Sequence, residues 1–288
     1  MGGQLSFTQG LSMIRKALPV LLLLVSVHGY AGFDEGMTAY KAGDFAKALA
    51  EWRPLAQAGN VDAQYQLGMM YANGQGVSQD FPESNMWFSR AAAQGSAEAE
   101  NKLGSAYLMG HGVDHDDRRA VAWFRKSAGQ GNAEAQYIIG QLYAQGRGGL
   151  PPDDGKAAEW FQKSAQQGYA EAEYMLGLIN SVGHNMDQTT VWWMKAAEHG
   201  QPTAQLALGA LYAQGRGVPK DMQLAYQWVT LSAIQEVPTA VLAQKQLESD
   251  LGYFELRSAK NKVRAWLSAH GQDPKLLDIE EEQIKKKK

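Results

Sequence analysis

The residues whose types and spacing come nearest to chemistry are His111 and His115, with Asp114, Asp116 and Asp117 around them. Two histidines four apart on one helix, flanked by carboxylates, can ligate a metal. Here the pair follows Gly110 and straddles Gly112, so a turn rather than a helix face carries it. Asp116 also falls in a recurring column of acids with a structural role of its own. The cluster therefore reads as a solvated loop, with no metal and no cofactor expected. His184, His199 and His270 have no partner group close in sequence.

Nucleophilic catalysis has equally little support. The chain carries no Gly-x-Ser-x-Gly or Ser-x-x-Lys pattern, and no cysteine to supply a thiolate or a zinc site. Ser127, Ser164 and Ser232 recur in a small-residue packing column, and Lys126 and Lys163 are next to Ser127 and Ser164 rather than a helical turn away. Glu98, Glu134 and Glu171 stand where acids favour the start of a helix. The chain reads as having no catalytic residues and as not being an enzyme.

What positions all of these residues is a repeated unit. Val61 to Tyr71 reappears as Ala97 to Tyr107 and again as Ala133 to Tyr143, at a period of 36 residues. Closing glycines keep the phase at Gly95, Gly131, Gly168 and Gly200, spaced 36, 37 and 32 apart. A second column runs Leu67-Gly68, Leu103-Gly104, Ile139-Gly140, Leu176-Gly177 and Leu208-Gly209. A third runs Trp87-Phe88, Trp123-Phe124, Trp160-Phe161, Trp192-Trp193 and Trp228-Val229.

Each unit predicts two helices. Ala63, Leu67 and Tyr71 share one face of the first, and Gly68 in mid-helix costs about 1 kcal/mol against alanine unless the second helix comes close to it. Gly-x-Gly stops that helix at Gly74–Gly76, Gly110–Gly112, Gly146–Gly148 and Gly215–Gly217. Asp80, Asp116, Asp153, Asp187 and Asp221 then stand as N-caps or first-turn acids of the second helix. Recurrence assigns Trp123, Trp160, Tyr107 and Tyr143 to core packing.

This pattern of Ala-x3-Leu-Gly-x2-Tyr-x2-Gly-x-Gly-Val followed by Trp-x3-Ala-Ala-x2-Gly resembles the Sel1-like repeat family, a relative of tetratricopeptide repeats. The resemblance implies an all-α fold, a right-handed α-solenoid of stacked antiparallel helix pairs, acting as an adaptor in protein complexes. Five repeats are expected over residues 61–237, led by a tetratricopeptide-like capping pair at 32–60. Capping helices over 238–273 and a charged, disordered tail over 274–288 follow. In the cap, Leu242, Leu247, Val263, Trp266 and Leu267 supply the apolar side of two amphipathic helices. The fourth repeat departs from the pattern, with Asn180 in the tyrosine column and Gly183-His184-Asn185 in place of the Gly-x-Gly turn. The fifth has Glu236 where the closing glycine belongs.

The N-terminus predicts export. Arg15-Lys16, an apolar run from Ala17 to Val27 and small residues at Gly29 and Ala31 are the parts of a secretory signal peptide over residues 1–31, cleaved after Ala31. The apolar run is short for a membrane span, which takes about 20 residues. The expected location is periplasmic, with no stable membrane insertion once the signal is gone. A formal net charge of −3 gives no reason to expect a nucleic-acid partner.

A binding surface should vary between units where a core cannot. On the first helices, away from the packed face, stand Tyr65, Asn73, Asn101, Tyr137, Gln141, Gln145, Tyr174 and Gln214. In tetratricopeptide-like stacks this face lines the concave groove, and an uncharged groove with tyrosines suits a peptide or partner helix. Tyr65, Tyr137 and Tyr174 fit equally well as packing between neighbouring first helices. The expected function is an exported, non-catalytic protein–protein interaction scaffold in the cell envelope. The alternative is an envelope enzyme or glycan-binding protein directed at peptidoglycan or β-lactams.

Overall fold

The computed structural model describes residues 32–278, so the signal-peptide segment and the end of the charged tail lie outside the described residues. It divides into two compact units, one ending at Gly131 and one beginning at Asn132. In the first, α1 (32–41) pairs with α2 (Phe45–Gln57), α3 (Val61–Asn73) with α4 (Phe81–Ala93), and α5 (Ala97–Met109) with α6 (Asp117–Gly129). In the second, α7 (Ala133–Gln145) pairs with α8 (Asp154–Ala165), α9 (Ala170–Val182) with α10 (Met186–Glu198), and α11 (Pro202–Gln214) with α12 (Met222–Ile234). Helices α13 (Pro238–Asp250) and α14 (Tyr253–Ala269) both pack on α12. The described residues are all-helical, as the repeat pattern requires, with helix pairs stacked in series inside each unit.

The helix ends follow from the sequence. Asn60, Ser96 and Asn132 cap α3, α5 and α7 by accepting from the backbone N–H three residues on. Gly74, Gly110, Gly146 and Gly215 end α3, α5, α7 and α11 in the left-handed conformation. Asp80, Asp116, Asp153 and Asp221 cap α4, α6, α8 and α12, and the Lys156 backbone N–H holds the Asp153 carboxyl below its ordinary range. In the short fourth repeat the cap moves to Asn185, and Asp187 is the first-turn acid.

The mid-helix glycines set how closely each pair packs. A Cβ on Gly68 would stand 2.5 Å from the Phe88 ring, on Gly104 2.7 Å from Phe124, and on Gly140 2.7 Å from Phe161. At Gly177 the distance is 2.1 Å to Trp193, and at Gly209 it is 2.6 Å to Val229. The second residue of each pair, aromatic in four repeats and Val229 in the fifth, thus fills the place of a missing side chain. Gly36 does the same for Trp52, at 2.3 Å, which puts the leading pair in the same packing scheme.

A buried polar column joins the ends of each pair. The fourth residue of each first helix is buried: Gln64, Glu100, Gln136, Glu173 and Gln205. Gln94 donates to Gln64 (2.9 Å), Gln130 to Glu100 (2.7 Å), Gln167 to Gln136 (2.8 Å) and Gln235 to Gln205 (2.9 Å). In the fourth repeat this pair is His199 and Glu173, at 2.7 Å. Gln64 and Gln205 also donate back to the carbonyls of Ala56 and Ala197, tying each to the preceding helix. Pairing here is needed, because a buried amide or carboxylate without a partner costs about 1–3 kcal/mol.

Three expectations change. Trp123 and Trp160 are only half-buried. Their rings are covered on the outside by Lys126 (4.2 Å) and Lys163 (4.1 Å), one turn along the same helix. Tyr107 and Tyr143 are likewise half-buried, under Arg119 and Lys156. Leu242 is 68% exposed, so it is not part of the cap's apolar side. The chain does not fray at residue 274 either, because Leu277 is fully buried in the C-terminal core and Asp278 pairs with Arg264 at 2.9 Å.

Candidate functional site

Phe88, Phe124, Phe161, Trp193 and Val229 of the second helices are buried in the core, and the binding surface expected from the sequence lies on the first helices. Tyr65 rests on Phe88 (ring centroids 5.7 Å apart), Tyr137 on Phe161 (5.7 Å) and Tyr174 on Trp193 (6.2 Å). Each is half-buried and packed on the aromatic of its own pair's second helix. These contacts run to the second helix of the same pair, not to a neighbouring first helix.

Asn73, Gln145 and Gln214 end their helices exposed, and Asn73 donates to Gln75 at 3.3 Å. Gln141 is half-buried and donates to the Tyr137 hydroxyl at 2.7 Å. Asn101 is the exception. It holds the same helix position as Tyr65, Tyr137 and Tyr174, yet it is 1% exposed and cannot offer its amide to a partner.

Unit two carries two depressions on this face. One, of about 330 Å³, is lined by Met175, Leu178, Ile179 and Val182 of α9, with Phe161 and Asp154 of α8 among the rest. The other, of about 410 Å³, lies among α11, α12 and α13 and is lined by Leu206, Met222, Leu247, Lys220 and Asp250 among others.

The α9 depression exists because the fourth repeat lost its loop. The tenth residue of a first helix is buried in every other repeat: Met70 0%, Ala106 6%, Leu142 2%, Leu211 5%. In α9 it is Ile179, 40% exposed, and Val182 beside it is 81% exposed. The other loops each carry an apolar residue, half-buried for Val77, Val113 and Val218 and buried for Leu150, and residues 183–185 have no counterpart. Met175, Leu178, Ile179 and Val182 then form a second apolar stripe on α9, distinct from the buried Ala172 and Leu176, which cluster with Phe161 of α8, and from Gly177, which meets Trp193 of α10. The sequence reading missed this stripe. Its signal was present, as four apolar residues at i, i+3, i+4 and i+7 in the one repeat with a shortened turn.

At the other end of α7 and α9 the character changes. Tyr169, just before α9, packs on Tyr137 at 5.3 Å, near Glu171 and Glu134. Burial first, and then the Glu171 carboxylate, push both hydroxyls above the ordinary phenol range. Glu134 adds to the effect at Tyr169, while the hydrogen bond from Gln141 partly offsets it at Tyr137.

The metal reading of the His111 loop has no support in the geometry. His111 stacks on Phe81 at 4.7 Å, His115 pairs with Asp117 at 3.0 Å, and no metal-holding cluster occurs among the described residues. Ser127 and Ser164 donate to the carbonyls of Ala97 and Ala133, both at 2.7 Å, which is packing chemistry. No helix among the described residues is long and apolar enough to cross a membrane.

Comparison with known proteins agrees with this geometry. The Sel1 repeat model matches residues 61–96, 97–132, 133–169, 170–201 and 202–236. The chain is similar to the crystal structure of a Sel1 repeat protein from Oxalobacter formigenes, with 29% identity and a TM-score of 0.71, over 81% of this chain and 99% of that one. It is also similar to a protective antigen of uropathogenic Escherichia coli displaying an SLR fold, with 26% identity and a TM-score of 0.55, over 88% of this chain and 63% of that one. An immunity protein from Pseudomonas aeruginosa shares the fold alone, at 17% identity and a TM-score of 0.50, over 71% of this chain and 81% of that one. No curated protein matches. Helix pairs locked by glycine and an aromatic, repeated in a phase the family model reproduces five times, place this chain in the Sel1 repeat family, whose members generally serve as protein–protein interaction scaffolds.

Proposed function

We propose that this protein is an exported, non-catalytic scaffold that binds a protein or peptide partner in the cell envelope along the face of its first helices. The reading rests on how the side chains are distributed. The second helices bury Phe88, Phe124, Phe161 and Trp193 and cover Trp123, Trp160 and Trp192 with lysines, while the first-helix face keeps half-open tyrosines, exposed amides and the apolar α9 depression. Tyrosines on rigid helices beside apolar pockets give large contact area at small entropic cost. Export is read from residues 15–31, and the periplasmic location follows from it.

The test is photo-crosslinking in the native envelope from probes at Tyr137 and Tyr174, with Arg125 and Gln162 on second helices as controls. A discrete partner from the tyrosine positions alone is expected. Capture only from the controls would move binding off this face. Mass spectrometry of the protein recovered from cells should find a mature N-terminus after Ala31, and retention of Arg15 would overturn the cleaved signal.

A further inference from the structure

Within that scaffold reading, one stretch of the first-helix face is built differently from the rest. Phe161 links its two ends, since Tyr137 packs on the ring and the same side chain lines the α9 depression. At one end lie Tyr137 and Tyr169 with exposed Glu171 close by. At the other end lie Met175, Leu178, Ile179 and Val182, where the only charge in the lining is Asp154. Acids therefore stand at both ends of an apolar floor. Of the bases on α8, Lys156 is engaged by Asp153 at 3.3 Å and stands over Tyr143, and Lys163 stands over Trp160.

We infer that the α7–α9 groove takes a basic, extended peptide segment of a partner protein. A lysine or arginine would lie against Tyr169, Tyr137 and Glu171, and an apolar side chain would enter the depression by Ile179 and Val182. A cation over a tyrosine face with a carboxylate beside it is favoured on both counts, and an acidic segment would meet repulsion at both ends. The α9 helix spans about 20 Å, which an extended chain covers in about six residues. The two anchor residues should therefore lie about five to seven residues apart in the partner. The third and fourth repeats together form the site, and the missing loop is what opens it.

Selection of a random twelve-residue phage-displayed peptide library on the full mature chain tests this, followed by fluorescence anisotropy with labelled synthetic copies of the enriched peptides. Peptides with Lys or Arg about six residues from Leu, Ile, Phe or Met are expected. Their affinity should fall about tenfold or more in Glu171→Lys and in Val182→Asp, and weaken as salt rises. Both substitutions sit at exposed positions, and circular dichroism would check that the fold is kept. Enrichment of acidic peptides, or binding indifferent to both substitutions, overturns the inference. If peptides are enriched but lose binding in Tyr65→Ala instead, the scaffold reading stands and this groove assignment falls. No enrichment on folded protein counts against both.

Discussion

The third and fourth repeats are neighbours built from the same columns, yet they solve the end of the first helix in opposite ways. In the third, residues 146–153 fold back over the end of α7, burying Leu142 and Leu150. In the fourth, residues 183–185 turn directly into α10, leaving Ile179 and Val182 in the open. The leading pair, α1 and α2, also turns directly, through residues 42–44. There the tight corner places Gly43 in the left-handed region (φ 79°) before the Asp44 cap, whereas the fourth repeat places His184 there (φ 58°) before Asn185. Gly183 sits one residue too early to relieve that strain. A solenoid unit can therefore lose its loop without losing its packing, but the loss shows as exposed apolar surface and a strained corner.

That comparison can be broken most severely at the packing both repeats share. Gly140→Val and Gly177→Val should each destabilise the protein by about 3 kcal/mol, because the added carbons collide with Phe161 or Trp193. Urea denaturation would measure it, and a tolerated Gly177→Val would show that α9 and α10 do not depend on the close approach. A smaller loss, of about 1–2 kcal/mol, is expected for His199→Ala, which strips the buried Glu173 carboxylate of its partner. The double change Glu173→Gln with His199→Gln rebuilds the amide pair of the third repeat and should recover most of that loss.

Grafting residues 146–153 in place of 183–185 sharpens the contrast directly. It should cover Ile179 and stabilise the fold by about 1 kcal/mol. It should also abolish capture of basic peptides. Smaller gains, each about 0.5–1 kcal/mol, are expected from His184→Gly and Glu236→Gly, since both residues hold positive φ (58° and 61°). Alanine at either site should give no such gain. The smallest effect concerns pH. With the Tyr169 hydroxyl raised above its ordinary value of 10.0, the folded state keeps the proton that the unfolded chain gives up. Its contribution is thus complete below about pH 10 and lost as pH climbs further. Tyr169→Phe should flatten the alkaline fall in the urea midpoint.

Most of the fold was legible because its determinants recur. Leu67-Gly68, the aromatic pairs and the closing glycines each repeat in phase, and each proved to mark a cap or a contact. Gly36 escaped notice because α1 and α2 repeat the glycine–aromatic contact at a spacing of 16 residues, where the full-length repeats use 20 or 21. The polar column escaped for another reason. Gln64 and Glu173 look like surface residues of an amphipathic helix, and only the tertiary arrangement buries them. The candidate site was read less well than the fold. Helical position named the tyrosines, but it could not tell that Asn101 turns inward or that the missing loop exposes Ile179.

The buried amide column gives the array a direction. Gln64 and Gln205 reach back to the helix before them, so each such unit carries the fastening for its predecessor. The matching position in α13 is Val241, which has no amide to reach back with. The last helix pair is therefore joined without this fastening, whereas a unit moved elsewhere with its own glutamine would carry its joint along.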